Sequence, residues 1–206
     1  MARLAYLHGL GSGPQSYKGT LLQQRLAPEH VLELPDLNRP SLEQLDPVAG
    51  LEHLDALTEG DEWLLIGSSY GGWLAALFAA RHPERVRRMV LLCPGFGLTE
   101  RWPSLVGAET MASWESTGFL PLERGERLSW SFLERCRPLD PAPAVTCPTW
   151  IVHGRYDDVV PFESSVAYAK LHAHVELVAV DDDHGLTASV DRIEALVRAE
   201  LIGDTE

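Results

Sequence analysis

Residues 62–80 read EWLLIGSSYGGWLAALFAA. The apolar run WLLIG lacks clean polar alternation and predicts a strand buried on both faces; GGWLAALFAA reads as the helix that follows. G-x-S-x-G fits only with Ser69 at its centre, between Gly67 and Gly71. Centring it on Ser68 would place Ile66 and Tyr70 where the backbone crowds. A strand that turns at once into a helix forces the central residue into a strained conformation, and small residues two before and two after let the elements approach. Ser69 then stands at the carboxyl edge of a sheet, where open α/β sheets bind ligands. A purely structural tight turn is the bland alternative, and the strand–turn–helix context favours a nucleophile.

The rest of the chain repeats this rhythm. Further strands are expected over 3–9, 30–36, 86–94, 149–154 and 175–182, with helices over 17–26, 42–58, 71–81, 162–172 and near 186–201. Ile193, Leu196, Val197 and Leu201 recur at helical spacing, and Pro83 ends the third helix. Such alternation predicts an α/β, doubly wound, mainly parallel sheet of about six strands with right-handed crossovers. The 206 residues fit one domain. One segment breaks the pattern: between Pro94 and Thr149 no convincing strand is seen, yet aromatic residues abound. Leu128, Phe132 and Cys136 step by four, so residues 95–140 are read as a small helical cap inserted in the domain.

Charge narrows the partners. A net charge of −13 argues against nucleic acid and anionic membrane surfaces. The longest apolar stretch is far too short to span a bilayer, and MARLAYLHG lacks the apolar region of a signal peptide. Cys93, Cys136 and Cys147 make no CxxC pair, so reduced thiols and a cytoplasmic location are expected, with no metal site.

A serine hydroxyl is a poor nucleophile until a base takes its proton. Of eight histidines, His184 follows the final predicted strand in the loop DDDHGL, which could return it to the carboxyl edge. His8 looks placed to shape a loop, His153 to make a structural hydrogen bond, and the others to sit in solvated surface positions. A carboxylate should hold the imidazole in the right tautomer. HGRYDDVVP offers Asp157 and Asp158, giving the order Ser, Asp, His, while Asp181–Asp183 are rivals that would need awkward backbone geometry. An oxyanion needs preorganised donors. One is expected from the backbone N–H of Tyr70, the other from that of Leu10 in the glycine-rich loop LHGLGSGPQS, whose bland reading is a flexible connection. GLGSG lacks the G-x-G-x-x-G spacing of a dinucleotide fingerprint, and no suitably spaced Gly-Lys-Ser/Thr makes a P-loop.

With Leu-His-Gly-Leu-Gly, Gly67–Gly71, HGRYDDVVP and DDDHGL in this order, nearly the whole chain resembles an α/β-hydrolase. YLHGLGSGPQSYKG and the short length resemble small bacterial esterases of the YqiA type. The resemblance implies Ser69 as nucleophile, His184 as base, Asp157 rather than Asp158 as acid, and the amides of Leu10 and Tyr70 as oxyanion donors. Two departures from the wider family stand out. The usual two leading strands are absent, and the 95–140 insertion is larger than a minimal esterase needs.

The expected activity is hydrolysis of a small carboxylic ester or thioester through an acyl-enzyme, with no metal or organic cofactor. Trp102, Trp114 and Trp130 in the cap are expected to line the substrate pocket; packing of the cap onto the core explains each of them equally well. Carbon–carbon hydrolysis and acyl transfer use the same triad, and a ligand-binding protein on a hydrolase scaffold is the alternative of another class. Substrate and oligomeric state are not readable from the sequence.

Overall fold

The computed structural model describes residues 3–122 and 125–203. Six parallel strands form one sheet: β1 (Arg3–Leu7), β2 (Leu32–Glu33), β3 (Trp63–Ser68), β4 (Val86–Leu92), β7 (Thr149–Gly154) and β8 (Val175–Val180). Their spatial order is β2-β1-β3-β4-β7-β8, with the chain reversing direction across the sheet at β1 and β3. The helices that follow these strands are α1 (Tyr17–Leu26), α2 (Pro47–Leu57), α3 (Tyr70–Arg81), α7 (Phe162–Leu171) and α8 (Val190–Leu196). The last turns widen to π-helical bonding over Val197–Ile202.

Alternation along the strands assigns each side chain to a layer, as a period of two requires. Ala5, Leu7, Leu65, Met89, Leu91 and Ile151 face one core, beside α2, α3 and the insertion. Leu4, Tyr6, Leu64, Ile66, Val90, Leu92 and Val152 face the other, closed by α1 and α8. Both faces are therefore buried, which is why these strands read as unbroken apolar runs. Helix α3 is buried at ten of its twelve positions, so it too is apolar nearly all round.

The insertion holds α4 (Leu98–Val106), α5 (Ala108–Thr117), β5 (Phe119–Pro121), β6 (Arg127–Ser129) and α6 (Trp130–Cys136). The expectation of an insertion without strands is corrected: β5 and β6 pair antiparallel, Leu120 opposite Leu128. Three residues per strand are too few for alternation to be legible. Boundaries also moved. The expected strand 30–36 shrinks to Leu32–Glu33, and the helix expected from Leu42 starts at Pro47, where Asp46 caps it by accepting from Val48 N–H at 2.9 Å. Among the described residues no helix is long and apolar enough to cross a membrane.

Candidate active site

The turn after β3 is built from contacts that glycine alone allows. A Cβ on Gly67 would lie 2.7 Å from Gly71 O and from Gly72 Cα, and one on Gly71 would collide with the carbonyls of Leu7 and His8. Helix α3 thus sits directly against β1 and β3. Ser69 takes φ 52° and ψ −117°, a conformation costing about 1–3 kcal/mol that its surroundings hold in place. Its N–H donates to Leu92 O at 2.9 Å, and its carbonyl accepts from Gly72, Trp73 and Gly95 N–H at 2.9–3.1 Å.

Ser69 Oγ lies 3.0 Å from His184 Nε2, and His184 Nδ1 lies 2.7 Å from Asp157 Oδ2. Three loops, following β3, β7 and β8, bring these groups together at the carboxyl edge. Asp157 Oδ1 accepts from Val159 N–H at 2.9 Å and Val160 N–H at 2.7 Å, so both carboxylate oxygens are engaged and the side chain is fully buried. Burial alone would raise the Asp157 carboxyl; hydrogen bonds from His153, His184 and Val160 outweigh it and hold the group below the usual carboxylate range. An acid kept ionised in this way orients the His184 ring with Nδ1–H toward itself and leaves the Nε2 lone pair for the Ser69 hydroxyl.

The competing carboxylates have other partners. Asp182 accepts from Ser189 Oγ–H and from Asp183 N–H, and Asp183 accepts from Gly185 N–H, so both tie down the loop that carries His184. Asp181 pairs with Arg155 at 3.4 Å. His8 is buried, donates from Nδ1 to Gly9 O at 2.9 Å and accepts at Nε2 from Leu37 N–H at 2.9 Å, shaping the loop that bears Leu10. That loop lies beside the serine, since a Cβ on Gly9 would be 3.5 Å from Ser69 Cβ. Leu10 and Ser69 border the same cavity of about 280 Å³.

Two neighbours of the Asp157 carboxylate were missed at the sequence level as members of the site. His153 Nε2 is 3.2 Å from Asp157 Oδ2, and Cys93, with φ 42°, brings its thiol close to the same carboxylate. Cys93, His153 and Asp157 offer ligand atoms within 4.8 Å of one another. Burial pushes the Cys93 thiol well above its usual range, however, so the sulfur keeps its proton and is a poor metal ligand. Lys18 was also missed. Its ammonium donates to Gly185 O at 2.5 Å, next to His184, and burial lowers its pKa. The YKG that follows the glycine loop was the only signal.

The expectation that Trp102, Trp114 and Trp130 line the pocket is corrected. None of the three borders the cavity over Ser69. They pack on each other edge to face, Trp102 to Trp114 at 5.0 Å and Trp114 to Trp130 at 5.3 Å, and Trp114 Nε1–H donates to Leu128 O. The insertion has few long elements, and these rings join Leu128, Phe132 and its other apolar residues in the core.

The chain is 28% identical, over an alignment 246 positions long, to 2-hydroxymuconate semialdehyde hydrolase of Pseudomonas sp. (strain CF600), covering 98% of this chain and 85% of that one. It is 31% identical over 161 residues to the mitochondrial palmitoyl-protein thioesterase ABHD10 of Bos taurus, covering 71% of this chain, and spans about half the length (51%) of that relative. Among solved structures, Est1E of Butyrivibrio proteoclasticus, with ferulic acid bound, superposes with a TM-score of 0.84 at 20% identity, covering 99% of this chain and 90% of that one. The model of the uncharacterised protein family UPF0227 matches residues 3–199, so the chain belongs to that family and is an α/β-hydrolase.

Proposed function

We propose that the protein is a serine hydrolase that cleaves carboxylic esters or thioesters through an acyl-enzyme on Ser69. The observation that carries this reading is the continuous chain Ser69 Oγ, His184 Nε2, His184 Nδ1, Asp157 Oδ2, with contacts of 3.0 and 2.7 Å. His184 takes the Ser69 proton as Oγ attacks the carbonyl carbon, and Asp157 stabilises the resulting imidazolium. The backbone N–H groups of Leu10 and Tyr70 receive the oxyanion; donors of this kind are each worth about 3–4 kcal/mol. His184 then gives its proton to the leaving oxygen or sulfur. Water, deprotonated by His184, releases the acid and restores Ser69. Relatives named as a palmitoyl-protein thioesterase and as a 2-hydroxymuconate semialdehyde hydrolase support acyl chemistry at this centre. Three cysteines with free, buried thiols support a reducing compartment such as the cytoplasm.

The test is labelling by a fluorophosphonate probe together with turnover of p-nitrophenyl acetate. The wild type should show both, and Ser69→Ala neither. A wild type inert to both, or full activity in Ser69→Ala, would sink the reading.

A further inference from the structure

The cavity over Ser69 does not end at the serine. Ser12, Ser16 and Tyr17 border it and also border a second cavity of about 620 Å³, which continues away from the catalytic groups. Beyond these three, the second cavity is walled by Gln15, Thr20 and Asn38. Hydroxyls and amides therefore dominate this groove; Thr20 Oγ–H is spent on Ser16 O and one Asn38 amide hydrogen on Ser12 O, while Ser12, Gln15 and Tyr17 can donate and accept. Tyr17 is 61% exposed and gives the shared wall an aromatic face with a polar tip.

Lys18 stands at the catalytic end. Its only hydrogen bond among the described residues goes to Gly185 O, and it forms no ion pair among them, so the ammonium has donors to spare. It is the only lysine or arginine described along either cavity, and Glu126 borders the far end. With a net charge of −13, this surface disfavours a leaving group that carries several phosphates.

The side of the ester that occupies the groove follows from proton transfer. His184 must hand its proton to the leaving oxygen, so the alcohol half lies beside His184. His184, Gly185 and Thr187 share this cavity with Ser12, Ser16, Tyr17 and Lys18, and the Lys18 ammonium, bonded to Gly185 O, joins the two groups. We propose that this groove receives a polyhydroxylated alcohol, a sugar or polyol, as the leaving half of the ester, with Lys18 and Tyr17 determining specificity. The proposal rests on the Ser69 reading. The Ser69 Oγ–acyl bond forms, the acyl–oxygen bond of the sugar ester breaks, and the sugar oxygen leaves with the proton from His184.

Acetate esters that share one acyl group provide the test: 6-O-acetylglucose and glycerol monoacetate against ethyl acetate and acetyl-CoA. The kcat/KM for the sugar or glycerol ester should exceed that for ethyl acetate by about tenfold or more, and acetyl-CoA should fall below the sugar ester. Tyr17→Ala, at an exposed position that the fold tolerates, and Lys18→Met should each cut the sugar-to-ethyl ratio about fivefold or more, chiefly through KM. A wild type that turns over p-nitrophenyl acetate with a ratio near one, or a ratio that neither variant moves, overturns the sugar proposal and leaves the hydrolase intact. A wild type inert to p-nitrophenyl acetate and to the fluorophosphonate overturns both.

Discussion

His153 Nε2 stands 3.2 Å from Asp157 Oδ2, the same carboxylate oxygen that receives His184 Nδ1 at 2.7 Å. His153 Nε2 also faces Val160 O at 3.0 Å, so two acceptors require that this nitrogen carry the hydrogen. Its Nδ1 is hydrogen-bonded to Ser165 Oγ at 2.7 Å. A fully buried histidine thus braces the acid from behind while the solvent-side histidine uses it. His153→Ala would strand Ser165 and Val160 as well as one Asp157 contact. Urea unfolding should show a loss of about 2–4 kcal/mol, and kcat for p-nitrophenyl acetate should fall about tenfold as Asp157 loosens.

The two serines of the turn should separate cleanly. Ser69→Ala should lower kcat by about 10⁴-fold or more, while Ser68→Ala should retain fluorophosphonate labelling. Ser69→Gly should be inactive yet more stable than wild type by about 1 kcal/mol, because glycine accepts φ 52° without strain. Thermal melting beside the labelling assay checks both halves of this prediction.

Gly67→Ala and Gly71→Ala test the packing of the elbow. The added methyl meets backbone in each case, and backbone here cannot retreat without parting α3 from β1 or β3. Each should cost about 3 kcal/mol or more and should abolish labelling even where soluble protein is recovered. Gly11→Ala, at a position open in space, should cost much less, set by its φ of 67° alone.

The ionisation of Asp157 makes a pH prediction. Its folded pKa is depressed, so the stability it contributes is present above the unfolded carboxylate value, about 3.9, and is lost as pH falls toward the lower folded value. The stability difference between wild type and Asp157→Asn should therefore be constant from neutral pH down to about 5 and shrink below about 4. At neutral pH the same variant should lose about 10⁴-fold in kcat through the wrong His184 tautomer. Urea midpoints at several pH values, with kinetics at pH 7, decide it.

The tryptophan cluster should behave as core. Trp114→Ala removes a ring buried between Trp102 and Trp130 and a hydrogen bond to Leu128 O. Unfolding should show a loss of about 3–5 kcal/mol, larger than for any exposed aromatic such as Tyr17.

Much of this protein is written locally. Strands buried on both faces leave unbroken apolar runs, and a strand that turns at once into a helix needs small residues at fixed offsets, so Gly67, Ser69 and Gly71 are legible in a window of five. The order of the Asp157 and His184 loops after their strands is equally local, and a parallel sheet sends such loops to one edge. What needed the tertiary structure were the pairings between distant segments. Nothing in the sequence around His153 tells that its ring reaches Asp157, and nothing around Trp102, Trp114 or Trp130 tells whether an aromatic faces a cleft or its neighbours. Lys18 meets Gly185 across 167 residues of chain. Local pattern sets which face of an element is apolar and where a turn must be tight; only packing sets what each side chain meets there, because that depends on how all the layers close at once.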